Sequence, residues 1–267
     1  MKVAAVQMVS GVSLQGNLDS ARALLEEAAR TGAQLAVLPE NFCLMGRRDS
    51  DKLAARESFG TGAVQRFLAQ AAADLGIWIA GGTLPLAASD EAHVRNTLLV
   101  FSPAGQCVAR YDKIHLFKFD NGSERQDETR VIEGGREPVA FELSVDGQRW
   151  RVGLSVCYDL RFPELYRALS ADVLLVPSAF TFVTGQAHWE LLLRARAVEN
   201  LAYVIAPAQG GVHENGRRTW GHSMVVDPWG GVLAERAEGP GVVTAELDAG
   251  RQARLRLELP ALQHRVL

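Results

Sequence analysis

Three polar residues stand at or just beyond the ends of apolar runs that read as β-strands. Glu40 follows Leu35-Ala36-Val37-Leu38-Pro39, Lys113 follows the run 107–111, and Cys157 follows Val152-Gly153-Leu154-Ser155-Val156. Strand ends in α/β sheets are where ligand crevices form, so side chains distant in sequence can converge there. These residue types together supply what amide hydrolysis needs: a nucleophile, a base to take its proton, and a cation for the oxyanion. Each also has an ordinary reading. A cysteine after a strand is commonly a small buried hydrophobe. A glutamate after proline is commonly solvated or caps a turn, and a lysine in Tyr111-Asp112-Lys113 is commonly exposed. Spacing alone does not decide between these readings.

The elements that must position these residues alternate along the chain. Residues 3–8 form an apolar strand. Residues 17–30 carry helical periodicity through Ala21, Leu24, Leu25 and Ala28, with Asn17 as the N-cap. A strand over 34–38 then runs into Glu40. A helix over 63–75 is stopped by Gly76, and a strand over 77–81 follows. Runs 96–101 and 107–111 flank Ser102-Pro103-Ala104-Gly105, and runs 141–143 and 150–154 flank Asp146-Gly147; both are hairpin signals. Beyond Cys157 come a short helix over 163–170, a strand over 173–177, a strong helix over 186–200 and a strand over 203–206. A last strand–turn–strand surrounds Asp227-Pro228-Trp229-Gly230-Gly231. Helices alternating with strands, with hairpins between them, predict mixed sheets covered by helices in one α/β domain over 1–267. The segment 118–136 is long, polar and poorly periodic; in a compact domain such a segment is more often functional or mobile than structural.

Composition excludes several classes. The 267 residues are 48% hydrophobic, enough for a large core, and the formal charge of −3 comes with no basic block of the kind a nucleic-acid binder shows. Cys43, Cys107 and Cys157 are too few and scattered for a disulfide framework. His115, His188, His213 and His222 lie on different elements without a His-Glu-x-x-His pair, so no metal is expected. Gly81-Gly82 and Gly210-Gly211 make no phosphate loop. No run approaches the roughly 20 apolar residues of a membrane span, and no signal core precedes the first strand. The expectation is a soluble, reduced, cytoplasmic protein.

Local sequence goes further than spacing. Leu38-Pro39-Glu40, Tyr111-Asp112-Lys113-Ile114-His115-Leu116-Phe117 and Cys157-Tyr158-Asp159-Leu160-Arg161-Phe162-Pro163-Glu164 occur in this order. The chain thereby resembles the nitrilase (carbon–nitrogen hydrolase) superfamily, from Val3-Ala4-Ala5-Val6-Gln7 to Asp227-Pro228-Trp229-Gly230. The resemblance implies a four-layer α-β-β-α sandwich of two mixed sheets, working without a cofactor. It implies Glu40, Lys113 and Cys157 as a catalytic triad, with Glu128 as a further acid near the substrate. Glu124, Asp127 and Glu133 share that loop and compete for this last role. Tyr158, Arg161, Phe180 and His188 are the implied substrate contacts, with the Tyr158 backbone N–H beside Lys113 at the oxyanion. Family members commonly pair through outer helices, so the helices over 163–170 and 186–200 are candidates for the contact of a homodimer or higher homo-oligomer.

True nitrilases place Trp-Glu after the cysteine, whereas this chain has Tyr158-Asp159, which argues against nitrile cleavage. Pro177-Ser178-Ala179-Phe180, Ala187-His188-Trp189-Glu190 and the stretch around Met224 and Asp227 look like the Nit branch of the superfamily. That resemblance implies a small 2-oxo acid amide with a carboxylate as substrate: deaminated glutathione first, 2-oxoglutaramate as the alternative. Arg161, Arg194, Arg217 and Arg218 are available for the carboxylate, and the sequence does not choose among them. A binding module with a degenerate site is the non-enzyme alternative, and the intact Glu40, Lys113 and Cys157 speak against it.

Overall fold

The computed structural model describes residues 1–122 and 125–266. Glu124, one of the competing loop acids, lies outside the described residues.

The first strand, Lys2–Gln7, sets the layering. Successive side chains of a strand point to opposite faces. Val3 and Ala5 accordingly enter one apolar cluster and Ala4 and Val6 another, all fully buried. Lys2–Gln7 runs parallel to Leu35–Val37, and that strand parallel to Trp78–Ala80. Gly241–Glu246 closes one side antiparallel; on the other, Val94–Phe101, Leu84–Ala87 and Cys107–Asp112 add antiparallel strands to make seven. The second sheet has six strands around another parallel trio, Gln148–Leu154, Val173–Leu175 and Tyr203–Ala206. Val139–Val145 flanks it on one side, and Ser223–Val226 and Val232–Arg236 on the other, all antiparallel.

The sheets face each other. Val3, Leu35, Val37 and Val100 of the first meet Leu143, Val152, Leu154 and Val204 of the second in one cluster. Helices Leu14–Arg30 and Ala63–Leu75 cover the outer side of the first sheet through Leu18, Leu25, Leu68 and Ala72. Helices Pro163–Leu169 and Phe182–Asn200 cover the second through Leu165, Tyr166, Trp189 and Leu193. This is the expected α-β-β-α order. Each fully buried leucine contributes about 1.5–3 kcal/mol by leaving water, which anchors the helices to the sheets. No helix among the described residues is long and apolar enough to cross a membrane.

Local chemistry explains the boundaries. Gly76 ends the second helix at φ +65, as its position predicts. Asp146 and Gly147 both have positive φ, +51 and +75, the pair a type I′ hairpin turn requires. Asn17 is not the N-cap. Ser13 caps the helix by accepting from Gly16 N–H, and Asn17 lies in the first turn. Its buried amide instead ties two loops together, donating to the Gly11 and Cys43 carbonyls at 2.9 Å each. Both residue types cap helices well, so residue type alone does not separate Ser13 from Asn17; tertiary bonding does. The long helix begins at Phe182 rather than 186, capped by Thr181. The polar segment 118–136 contains a small hairpin, Lys118–Asp120 with Arg125–Asp127, and a 3₁₀ turn, Glu128–Arg130.

Candidate active site

Glu40 leaves the strand Leu35–Val37 by way of Leu38-Pro39, which passes tightly under Gly82. Gly82 has φ +56, and a Cβ there would fall 2.1 Å from the Pro39 carbonyl oxygen, so only glycine allows the approach. The Glu40 carboxylate is fixed on both oxygens. Oε1 accepts from Lys113 Nζ at 2.9 Å and Asn96 Nδ2 at 2.9 Å; Oε2 accepts from Ala179 N–H at 3.0 Å.

Lys113 continues the strand Cys107–Asp112 and is pinned through its own backbone. Its N–H donates to the Asn96 carbonyl at 3.0 Å, and its carbonyl accepts from Gly135 N–H at 2.8 Å. Gly135 is as tight as Gly82, since a Cβ on it would lie 2.1 Å from the Asp112 carbonyl oxygen. The buried Lys113 ammonium sits between two carboxylates, Glu40 at 2.9 Å and Glu128 at 2.8 Å. Glu128 also accepts from Phe117 N–H at 2.7 Å, which ties the 3₁₀ turn to the motif around Lys113.

Cys157 opens a short 3₁₀ helix, Cys157–Arg161, at φ +51. A non-glycine residue in the left-handed region costs on the order of 1–3 kcal/mol and persists where its surroundings over-determine it. Here they do. Cys157 N–H donates to the Pro177 carbonyl at 3.0 Å. Asp159, fully buried, accepts from Val156 N–H at 2.8 Å, Tyr111 Oη at 2.7 Å and His115 N–H at 2.9 Å. Asp159 therefore bolts the turn carrying Cys157 to the strand carrying Lys113.

Electrostatics follow from this packing. Burial alone would raise the pKa of Glu40, but the charge and hydrogen bond of Lys113, helped by the Cys157 thiol, outweigh it and hold the carboxylate below its usual range. Burial opposes the Lys113 charge, yet Glu128 and Glu40 raise its ammonium well above normal. Burial, then the Glu40 charge, pushes the Cys157 thiol well above normal against the weaker pull of Lys113 and Ala179 N–H. At neutral pH the resting site is thus a carboxylate, an ammonium and a neutral thiol.

These groups line one pocket, together with Glu128, Tyr158, Arg161, Phe180 and Arg217. His188 is placed elsewhere. It sits behind Arg161, with Nδ1 3.3 Å from the guanidinium, and lines a separate surface cavity with Trp189 and Trp220. Arg194 faces that second cavity too and donates to the Gly230 carbonyl. Arg218 stacks on the Phe182 ring, 3.6 Å from its centroid. Sequence reasoning missed Asn96 and Asp159. Asn96 carried a signal, a polar residue in an apolar run. Among the described residues, no cluster of His, Cys, Asp or Glu could hold a metal ion.

The chain belongs to the carbon–nitrogen hydrolase family, whose model matches residues 2–256. It is 44% identical to a deaminated glutathione amidase of Synechocystis, an alignment covering 98% of this chain and 97% of that one. To the human deaminated glutathione amidase it is 40% identical, over 98% of this chain and 81% of the relative. The crystal structure of Saccharomyces cerevisiae Nit3, a member of branch 10 of the nitrilase superfamily, superposes with a TM-score of 0.87 at 30% identity, covering 100% of this chain and 97% of that one.

Proposed function

We propose that the chain, as one domain, hydrolyses deaminated glutathione to 2-oxoglutarate and cysteinylglycine. The observation that carries the chemistry is the buried Lys113 ammonium held between Glu40 and Glu128 in the pocket that contains Cys157. Glu40 removes the thiol proton as sulfur attacks the amide carbonyl, and Lys113 and the Tyr158 backbone N–H receive the oxyanion. Protonated Glu40 then gives its proton to the departing amine, leaving a thioester on Cys157. Water, deprotonated by the same carboxylate, hydrolyses the thioester and restores the thiol. Glu128 holds Lys113 in place. Arg161, over the Tyr158 and Phe180 rings at 5.8 Å each, faces the acyl end and takes the carboxylate of the 2-oxo acid. The substrate assignment rests on the names of the relatives. A reducing, cytoplasmic compartment suits this chemistry, because the nucleophile works only as a free thiol.

The test compares kcat/KM for deaminated glutathione, 2-oxoglutaramate and a plain aliphatic nitrile. Deaminated glutathione should be preferred by at least about 10-fold, as expected where a buried cation meets an extra carboxylate. A preference for 2-oxoglutaramate would assign the chain to omega-amidase chemistry instead, and a preference for the nitrile would overturn the amide reading.

We propose further that two copies pair through the helix Phe182–Asn200. Its outer side leaves Val183, Leu191 and Val198 at 52, 68 and 46% exposure, and Trp229, at 56%, lies on the adjoining turn. Apolar surface of this kind on one helix marks an interface. The helix Pro163–Leu169 exposes no large apolar residue and contributes less. Sedimentation should give a dimer for the wild type and a shift toward monomer for Leu191→Glu. A monomeric wild type at micromolar concentration would sink this proposal.

A further inference from the structure

Outside the catalytic pocket lies a larger chamber of about 560 Å³, and the two share Asn41, Phe117, Glu128 and Arg217 as walls. The chamber is lined by six cationic side chains; three are already matched, and a fourth, Arg48, is exposed to solvent. Arg47 pairs with Glu214 at 2.7 Å, Arg218 with Glu238 at 3.4 Å and Arg125 with Asp120 at 3.8 Å.

Arg217 and Lys52 are different. The Arg217 guanidinium donates to the Ala179 carbonyl at 3.1 Å and touches the Met45 sulfur at 4.0 Å, and its buried Nε–H has no acceptor. No carboxylate meets it among the described residues. A buried donor without a partner costs about 1–3 kcal/mol, and a guanidinium fork is shaped to hold a carboxylate by two parallel hydrogen bonds. Lys52, on the helix Asp49–Ala54, also lines the chamber and makes no hydrogen bond or ion pair among the described residues. Burial and the nearby Arg217 and Lys113 charges lower its pKa against the pull of Glu128 and Glu40, as befits a cation short of an anion. Arg217, on the wall that the two cavities share, and Lys52, within the larger one, are two cations with no carboxylate partner among the described residues, and together they suit one anionic group.

The direction of catalysis fixes which part of the substrate reaches it. Once the thioester forms, the acyl group stays on Cys157 while the amine departs and water enters. The leaving group must therefore point toward the open chamber. In deaminated glutathione it is a dipeptide whose terminal carboxylate lies two residues beyond the scissile nitrogen, about 7 Å in extended form. 2-Oxoglutaramate, whose leaving group is ammonia, has nothing there. We propose that Arg217 and Lys52 form the subsite for the carboxylate of the leaving amine, and so set the preference for a dianionic amide. This rests on the function proposed above.

The experiment measures wild type, Arg217→Met and Lys52→Met with deaminated glutathione, its C-terminal glycinamide counterpart and 2-oxoglutaramate. Wild type should favour the free acid over the glycinamide by about 10- to 100-fold, the worth of a charge-assisted contact, and mostly in KM. In each variant that ratio should collapse toward one. A disturbance passed through Ala179 to Glu40 would instead lower kcat for all three substrates together and leave the ratio intact. Lys52→Met makes no contact with Ala179 and carries the test if Arg217→Met folds poorly. The wild-type ratio persisting in both variants, or a wild type indifferent to the glycinamide, overturns this subsite while the amidase reading stands. A wild type that hydrolyses none of the three overturns both.

Discussion

Cys157→Ala should abolish turnover, with kcat falling by at least about 10⁴-fold, on the scale seen when a covalent nucleophile is removed. The fold should survive. What holds the strained turn is the Asp159 carboxylate with its bonds from Val156, Tyr111 and His115, together with the Cys157 backbone bond to Pro177. The sulfur contributes to none of these. Removing it also takes a neutral, buried thiol away from the Glu40 charge, so the melting temperature should change by a few degrees at most. The positive readout is an acyl adduct on Cys157, seen by intact-protein mass spectrometry of wild-type enzyme quenched in acid during turnover. Substantial activity in the alanine variant, or an adduct mapped to Cys43 or Cys107, would remove Cys157 from the mechanism.

The site was legible at its strand ends and dark between them. Glu40, Lys113 and Cys157 each follow an apolar run, and their local motifs name a family; the two facing sheets then bring them together, because Leu35–Val37, Cys107–Asp112 and Gln148–Leu154 all end at one edge of the sandwich. Asp159 stands inside the cysteine motif, yet its role is invisible in sequence, since its partners Tyr111 and His115 come from the lysine motif. Arg217 is one of four candidate arginines among which the sequence does not choose, and Lys52 is not among the candidates. Asn215-Gly216-Arg217-Arg218 has the composition of an exposed turn, and Lys52 ends the charged stretch Arg47-Arg48-Asp49-Ser50-Asp51-Lys52. Only the hairpin Gly210–Val212 with Arg218–Trp220 carries Arg217 back over the strand ends. His188 is the converse case. Its motif suggests a pocket residue, but the helix phase turns it behind Arg161. In sequence Lys113 is only a candidate cation for the oxyanion. Buried between Glu40 and Glu128, it is structural as well, and its loss leaves two carboxylates uncompensated. For that reason Glu40, not Lys113, offers the cleaner test of chemistry.

Glu40→Gln keeps the shape of the side chain and removes its basicity. The amide oxygen can take the place of Oε1 and still accept from Lys113 and Asn96, while the new NH₂ faces the Ala179 N–H and loses one bond. A small loss of stability is expected, about 1–3 kcal/mol for the unmatched donors. The kinetic effect should be larger, a fall in kcat of about 10²- to 10⁴-fold, because both the attack by Cys157 and the attack by water lose their base. The pH profile separates this role from a structural one. In the wild type the Glu40 pKa is lowered, so the base form is present throughout the neutral range and activity fails only as acid protonates it below the usual carboxylate range. The Cys157 pKa is raised, so no thiolate is preformed and attack depends on Glu40 taking the proton. Without that base, only spontaneously ionised thiolate can react. The residual rate of Glu40→Gln should then climb with pH through the neutral and alkaline range, where the wild-type rate is flat. A Gln variant with near-normal kcat, or with a flat profile at its reduced rate, would show that Glu40 organises the pocket without moving the proton.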